Sequence, residues 1–298
     1  MKKYMKTPFN HKTKKGFTLI ELLFAMVFIS ILMLVIAYLI IYIISVYQKG
    51  LTMRAVSSTG RQIIDEITRS VMSSPTNALL SPSDDLNNDG VIDENELIMA
   101  TRRYYFQAYA TIDGQDVPVF GAFCTGSYTY MWNTAYAINA GVSSPYLMTY
   151  QLKSGEKTNT FRLIKVYDQT REICASVVDR NSSPPIYRFQ NGITGANRTF
   201  TLTFERDKSL PANLIQADEA DLALYDFQIF PATQDPLTGQ IFYSSSFILA
   251  TLRGGVNIMS TGNFCQNPSP GTLGTDFNFC AVNKFNFTMR ATGAISNE

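Results

Sequence analysis

Histidine is almost missing from this 298-residue chain: His11 is the only one, and it precedes the first long apolar run. Everything downstream therefore lacks Ser-His-Asp and Cys-His nucleophiles and His-ligated zinc. The sequence also has no phosphate-cradling glycine loop, no G-x-S-x-G and no Cys-x-x-Cys. No enzyme is expected; catalysis would have to rest on carboxylates or lysines. Positive charge is short after the N-terminus. The formal net charge is +1, but without the six lysines that precede Gly16 it becomes 19 basic residues against 24 acidic, or −5. That balance, with only Arg102-Arg103 as a basic pair, speaks against a nucleic-acid partner.

Proline, glycine and charge are absent together from Phe17 to Tyr47, with Glu21 as the one exception. As a helix this run is a rod of roughly 46 Å, longer than a hydrocarbon core of about 30 Å. Helix is the state that satisfies its backbone in lipid. Lys2, Lys3, Lys6, Lys12, Lys14 and Lys15 flank it with no acid among them, which holds that end in the cytoplasm. Residues 48–298 then lie outside the membrane. Glu21 costs about 2.5–3.5 kcal/mol in such a helix and needs a partner. Cleavage after Gly16 would give Phe17 a free α-amine. That amine, on a neighbouring copy, would pair with Glu21 and set the register of packing.

The stretch Lys15-Gly16-Phe17-Thr18-Leu19-Ile20-Glu21-Leu22-Leu23 resembles the prepilin signal of bacterial type IV pilins and of type II secretion pseudopilins. The resemblance implies a prepilin peptidase that cuts between Gly16 and Phe17 and methylates Phe17. It implies that Glu21 is the residue that docks one subunit on other pilin subunits. A removable secretory signal fits less well, because its apolar core spans about 7–15 residues and ends in a small-residue site. An ordinary single-pass anchor explains the length but neither the Gly-Phe junction nor Glu21. Many major pilins of the resembled family carry a proline where Tyr38 stands here. Its absence, with a large head, points to a minor pilin.

The domain reading follows from these landmarks. Residues 1–16 are the leader. Residues 17–74 form the long helix, with 17–47 as its membrane or filament-core part. Beyond Tyr47 the helix turns amphipathic: Val56, Ile63, Ile64, Ile67 and Val71 recur among Arg54, Arg61, Asp65, Glu66 and Arg69. Gly50 and Gly60 are its weak points, each costing about 1 kcal/mol relative to alanine. Ser73-Ser74-Pro75 ends it.

Residues 75–100 form an inserted acidic loop. From Asp85 it reads D-L-N-N-D-G-V-I-D-E-N-E, the calcium-loop template in full. Asp85, Asn87, Asp89 and Asp93 would offer side-chain oxygens, Val91 its carbonyl and Glu96 both carboxylate oxygens, while Gly90 allows the turn. The expected cofactor is one Ca2+, fastening the head after export. The alternative is a solvated acidic turn.

Residues 101–298 read as a β-rich head outside the cytoplasm. Alternating or aromatic runs at 103–112, 117–123, 146–152, 160–166, 186–189, 199–204, 227–230, 241–252 and 284–290 predict strands. Ala217–Leu224 is expected as a short helix and 124–145 as a long loop, whose aromatic rings pack in the head rather than bind a partner. Cys124, Cys174, Cys265 and Cys280 permit three pairings in an exported domain. Cys265–Cys280, across a short Pro/Gly-rich loop, with Cys124–Cys174 is favoured, and buried free thiols are the alternative. A C-terminal disulfide loop resembles one common in type IV pilins. The expected fold class is α+β, a long N-terminal helix packed on an antiparallel sheet. The expected function is a minor pilin subunit of a type IV pilus-like filament, held in the inner membrane before assembly. A type II secretion pseudopilin and a pilin-anchored adhesin are the alternatives.

Overall fold

The computed structural model describes residues 18–74, 87, 93, 95–96, 104–112, 114–125, 127–140, 146–152, 158–168, 173, 176–179, 186–189, 200–204, 210–215, 221–231, 233–234, 241–252 and 281–291. The chain divides into two units, Met1–Gln48 and Lys49–Glu298. Helix α1 (Leu19–Met72) contributes to both. It stops where expected because two serines consume its last carbonyls. The hydroxyls of Ser73 and Ser74 donate to the Ser70 carbonyl at 2.9 and 2.7 Å, and the Ser74 amide bonds to Val71 at 3.1 Å. Side-chain bonds of this kind compete with continued helix.

In the first unit, residues 18–44 are exposed on every side. The hydroxyls of Ser30 and Ser45 fold back onto the carbonyls of Met26 and Tyr42 at 2.8 and 2.9 Å. Both serines are therefore satisfied within the helix itself, as an apolar surrounding requires.

The second unit begins on the same helix. Val56, Gly60, Ile63, Ile67, Ser70 and Val71 are buried, a stripe at three- and four-residue spacing. Each large aliphatic side chain in it contributes roughly 1.5–3 kcal/mol. Gly60 proves to be a close approach, since a Cβ there would lie 2.1 Å from the Phe285 ring. Its missing side chain makes room for a core ring.

The head is built of several sheets. Strands β1 (Tyr105–Ile112), β2 (Gln115–Cys124) and β3 (Tyr128–Asn133) are followed by helix α2 (Ala135–Ala140). Then come β4 (Met148–Leu152), β5 (Asn159–Thr160), β6 (Leu163–Tyr167), β7 (Ser176–Asp179), β8 (Ile186–Phe189), β9 (Phe200–Phe204) and β10 (Ala212–Asn213). The last four are β11 (Leu222–Ile229), β12 (Thr233–Gln234), β13 (Ile241–Thr251) and β14 (Val282–Ala291). The first sheet is antiparallel in the order β1-β2-β3-β6-β10. In the second, β13 pairs antiparallel with β11, β12 and β14. A third holds β5-β4-β9, whose β4–β9 pair is parallel, and β7 pairs with β8. The architecture is α+β and pilin-like, a long N-terminal helix with mainly antiparallel sheets.

The helix stripe meets the first sheet through Tyr130, whose hydroxyl donates to Ser70 Oγ at 2.7 Å. Burial pushes that phenol well above its ordinary pKa, so it stays a neutral donor. Lys165 pairs with Glu66 of the helix and lies 3.6 Å from the centre of the Tyr128 ring. The sheets join at a seam between β1 and β11. There Trp132 packs on Phe227 with ring centres 4.6 Å apart, and the Tyr105 hydroxyl donates to the Phe227 carbonyl at 2.9 Å.

At the same seam Asp226 is half-buried and accepts from Gln107 Nε2 and Gln228 Nε2, each at 2.8 Å. Desolvation raises its pKa, opposed by those bonds and the charge of Lys284. The native state thus holds the Asp226 proton more tightly than the unfolded chain. Its contribution is most favourable below the unfolded carboxylate's pKa and is lost as pH rises through the folded one. Asp226→Asn removes this dependence and, at any pH, one of the two amide bonds. Unfolding measured across the acid range should show the variant gaining on the wild-type chain as pH rises.

Two sequence expectations need correction. The stretch 124–145 is not one long loop: it contains β3 and α2. Strand β3 is central, and five of its six residues are buried on both faces, which erases the alternation that marks a one-sided strand. Its rings do pack in the head, as expected, and Tyr130 and Trp132 are fully buried. The helix expected at 217–224 is contradicted at its end, where Leu222–Leu224 open β11. Leu222, Ala223 and Leu224 are likewise buried on both faces, a pattern that reads equally as buried helix.

Candidate functional site

The start of α1 places the two chemically unusual residues of the apolar run together. Thr18 is the N-cap: its carbonyl takes the first helical bond, from Leu22 N at 3.2 Å. The Thr18 amide and hydroxyl both donate to Glu21 Oε2 at 2.9 Å, and the Glu21 amide reaches back to Thr18 Oγ1 at 3.4 Å. This is a reciprocal capping box, Thr18-x-x-Glu21, which satisfies amide donors that a helix start leaves open. The acid also sits where the helix dipole favours negative charge. One carboxylate oxygen, Oε1, takes no bond among the described residues. Glu21 is thus held in a fixed direction by its own helix while retaining acceptor capacity. Gly16 and Phe17 lie outside the described residues.

The surface behind this cap is apolar all round. Leu19, Phe24, Phe28, Leu34 and Ile41 are each at least two-thirds exposed. A stable helix of this kind needs lipid or other helices against it. Its length and composition suffice to cross a membrane.

The acidic loop shows a second capping box. Asp93 Oδ1 accepts from the amides of Asn95 and Glu96 at 2.9 and 3.0 Å, and Glu96 Oε2 accepts from the Asp93 amide at 2.9 Å. The other oxygen of Glu96 accepts from the Asn87 amide at 3.2 Å. Glu96 is buried, 5% exposed, and draws the third, ninth and twelfth loop positions together. Carboxylate and carbonyl oxygens are the ligands that a hard cation takes. Asp85, Asp89 and Val91 lie outside the described residues. Among the described residues no group of three His, Cys, Asp or Glu side chains gathers as a metal site.

Cys124 closes β2, is buried, and is disulfide-bonded to a residue outside those described. Its surroundings form a relay. Thr129 Oγ1 lies 3.9 Å from Cys124 Sγ and donates to Asp168 Oδ2 at 3.0 Å, and the same oxygen accepts from the Ile173 amide at 3.2 Å. Cys174, Cys265 and Cys280 lie outside the described residues.

Sequence reasoning identified Glu21, Asp93 and Glu96 by their chemistry but missed their local bonding. The signal was present: Thr18 and Asp93 each stand three residues before a glutamate, the pattern of a capping box.

A family model described as the prokaryotic N-terminal methylation motif matches residues 11–37. No curated protein and no solved structure matches the chain.

Proposed function

We propose, for a chain whose N-terminus carries the type IV prepilin signature, that it is a structural subunit of a pilus-like filament and acts there as a minor pilin. The observation that carries this reading is the matched motif with a capped Glu21 at the head of a helix whose first half is apolar on every side. A prepilin peptidase would cut between Gly16 and Phe17 and methylate the new N-terminus. The chain would wait in the inner membrane with its lysine flank in the cytoplasm and its head outside. Assembly would then transfer α1 from lipid to a core of other pilin helices. Both surroundings are apolar, so the transfer asks little desolvation of the helix. Glu21 supplies what the apolar surface lacks, one directional contact.

The head needs only to survive outside the cell. Calcium held by Asp85, Asn87, Asp89, Val91, Asp93 and Glu96 would tie the loop at 75–100. The buried Glu96, already bonded to two loop amides, supports this. A disulfide from Cys124 to Cys174 would close the relay that already holds Ile173 by Asp168, and Cys265–Cys280 would close the second loop. The role is structural, with no reaction assigned to the head. The pseudopilin reading shares all these parts and differs in where the filament stops.

Expression with and without a prepilin peptidase tests the processing step. With the enzyme the chain should lose residues 1–16, and Gly16→Val should block that loss. A full-length product under both conditions would contradict the reading.

A further inference from the structure

We propose that the buried carboxylate of Asp168 selects the disulfide partner of Cys124: it holds the chain at Ile173, so that Cys174 and not Cys265 or Cys280 completes the bond. The register of three strands carries this. Cys124 stands opposite Thr129 in the β2–β3 pair, and Thr129 stands opposite Val166 in the β3–β6 pair. Asp168 follows Val166 by two residues, and its amide continues the ladder by donating to the Ser127 carbonyl at 2.9 Å. Cys124, Thr129 and Asp168 therefore share one face of the first sheet, and all three are buried.

On that face one oxygen joins two distant segments. Thr129 Oγ1 lies 3.9 Å from Cys124 Sγ and donates to Asp168 Oδ2 at 3.0 Å, and Asp168 Oδ2 also accepts from the Ile173 amide at 3.2 Å. Ile173 is itself buried and immediately precedes Cys174. A disulfide requires the two Cα atoms to lie within about 4.4–6.8 Å, so the chain must return to Cys124 before the bond can form. A buried carboxylate is costly unless it is hydrogen-bonded. The bonds that satisfy Asp168 are the ones that bring the two cysteine segments together.

Chain entropy alone does not make this choice. Cys174 is about 50 residues from Cys124, and Cys265 and Cys280 are about 140 and 160, so loop closure favours Cys174 only about fivefold. Cys280 also has a different anchor. It precedes Ala281, whose carbonyl accepts from the Thr251 amide at 3.1 Å and whose amide donates to Thr251 Oγ1 at 3.3 Å. Those bonds tie Ala281 to the end of β13 in the second sheet, whereas Cys124 ends β2 in the first. Pairing joins the two sulfurs and releases two protons and two electrons. A small disulfide oxidant such as oxidised glutathione takes both and leaves as two thiols. The inference deepens the disulfide reading of the exported head and rests on it.

The test follows the full chain, reduced and unfolded, as it refolds in detergent with oxidised glutathione. Free thiols are blocked at intervals, and the linked peptides are mapped by mass spectrometry without reduction. A Cys124–Cys174 link is expected in the wild-type chain. Asp168→Ala should slow its formation at least about tenfold, the effect of losing one hydrogen bond to a charged group. Asp168→Asn keeps an acceptor oxygen for both donors and should restore most of the rate. Thr129→Val keeps the shape of the core, removes one bond, and should slow the link in the same sense as Asp168→Ala. A wild-type Cys124–Cys265 or Cys124–Cys280 link would overturn the inference together with the reading it rests on. A Cys124–Cys174 link that forms at the wild-type rate in Asp168→Ala and Thr129→Val, or is slowed as much by Asp168→Asn, would overturn the inference alone.

Discussion

On the filament reading, Glu21→Gln is expected to leave the chain in membranes and to keep it out of filaments. The two roles of this acid separate cleanly by substitution. As half of a capping box it needs an acceptor for the Thr18 amide and hydroxyl, and glutamine supplies one. As the proposed partner of a neighbour's Phe17 amine it needs a charge, which glutamine lacks. Thr18→Ala does the reverse: it removes the cap, at about 1 kcal/mol, and keeps the charge. Losing one member of a desolvated charge pair costs about 2–5 kcal/mol, or roughly thirtyfold and upward in occupancy. Filament incorporation, read by immunoblot of sheared fibres against membranes, should therefore fall at least about thirtyfold for Glu21→Gln and little for Thr18→Ala. The opposite order would make Glu21 a helix cap and nothing more.

Calcium should raise the melting temperature of the head, and Glu96→Gln should abolish the rise. Glu96 is almost fully buried and joins Asn87 to Asp93. Without a cation this draws a carboxylate into a loop crowded with other acids, a costly arrangement. A cation at a hundred times its dissociation constant stabilises the folded state by about 2.7 kcal/mol. For a head of this size that corresponds to a shift of about 5–10 °C. Thermal unfolding with calcium and with a chelator measures it directly. Identical melting under the two conditions would reduce the segment to an acidic turn closed by its capping box.

The first helix was readable almost entirely from composition. An uninterrupted apolar run followed by a three-and-four stripe permits little else, and the two serines after Met72 stop it. Legibility fell where burial is two-sided. Strand β3 lies between β2 and β6, and the opening residues of β11 pack against α2 as well as the core. Neither shows the alternation by which β14 announces itself. The parallel pairing of β4 with β9 depends on residues about fifty apart and leaves no local trace. At the sites, the sequence showed which groups were unusual but not how they were held. Glu21 looked like an acid without a partner, yet Thr18 three residues earlier directs it. Gly60 looked like a defect in the helix, yet it is the space that Phe285 occupies.

Mass spectrometry of the N-terminal peptide from sheared surface fibres tests the filament reading most directly. A peptide that begins at Phe17 and carries one methyl group, at low abundance beside other subunits, is the expected result. An intact leader confined to membranes would contradict it and leave the chain a single-pass anchored head.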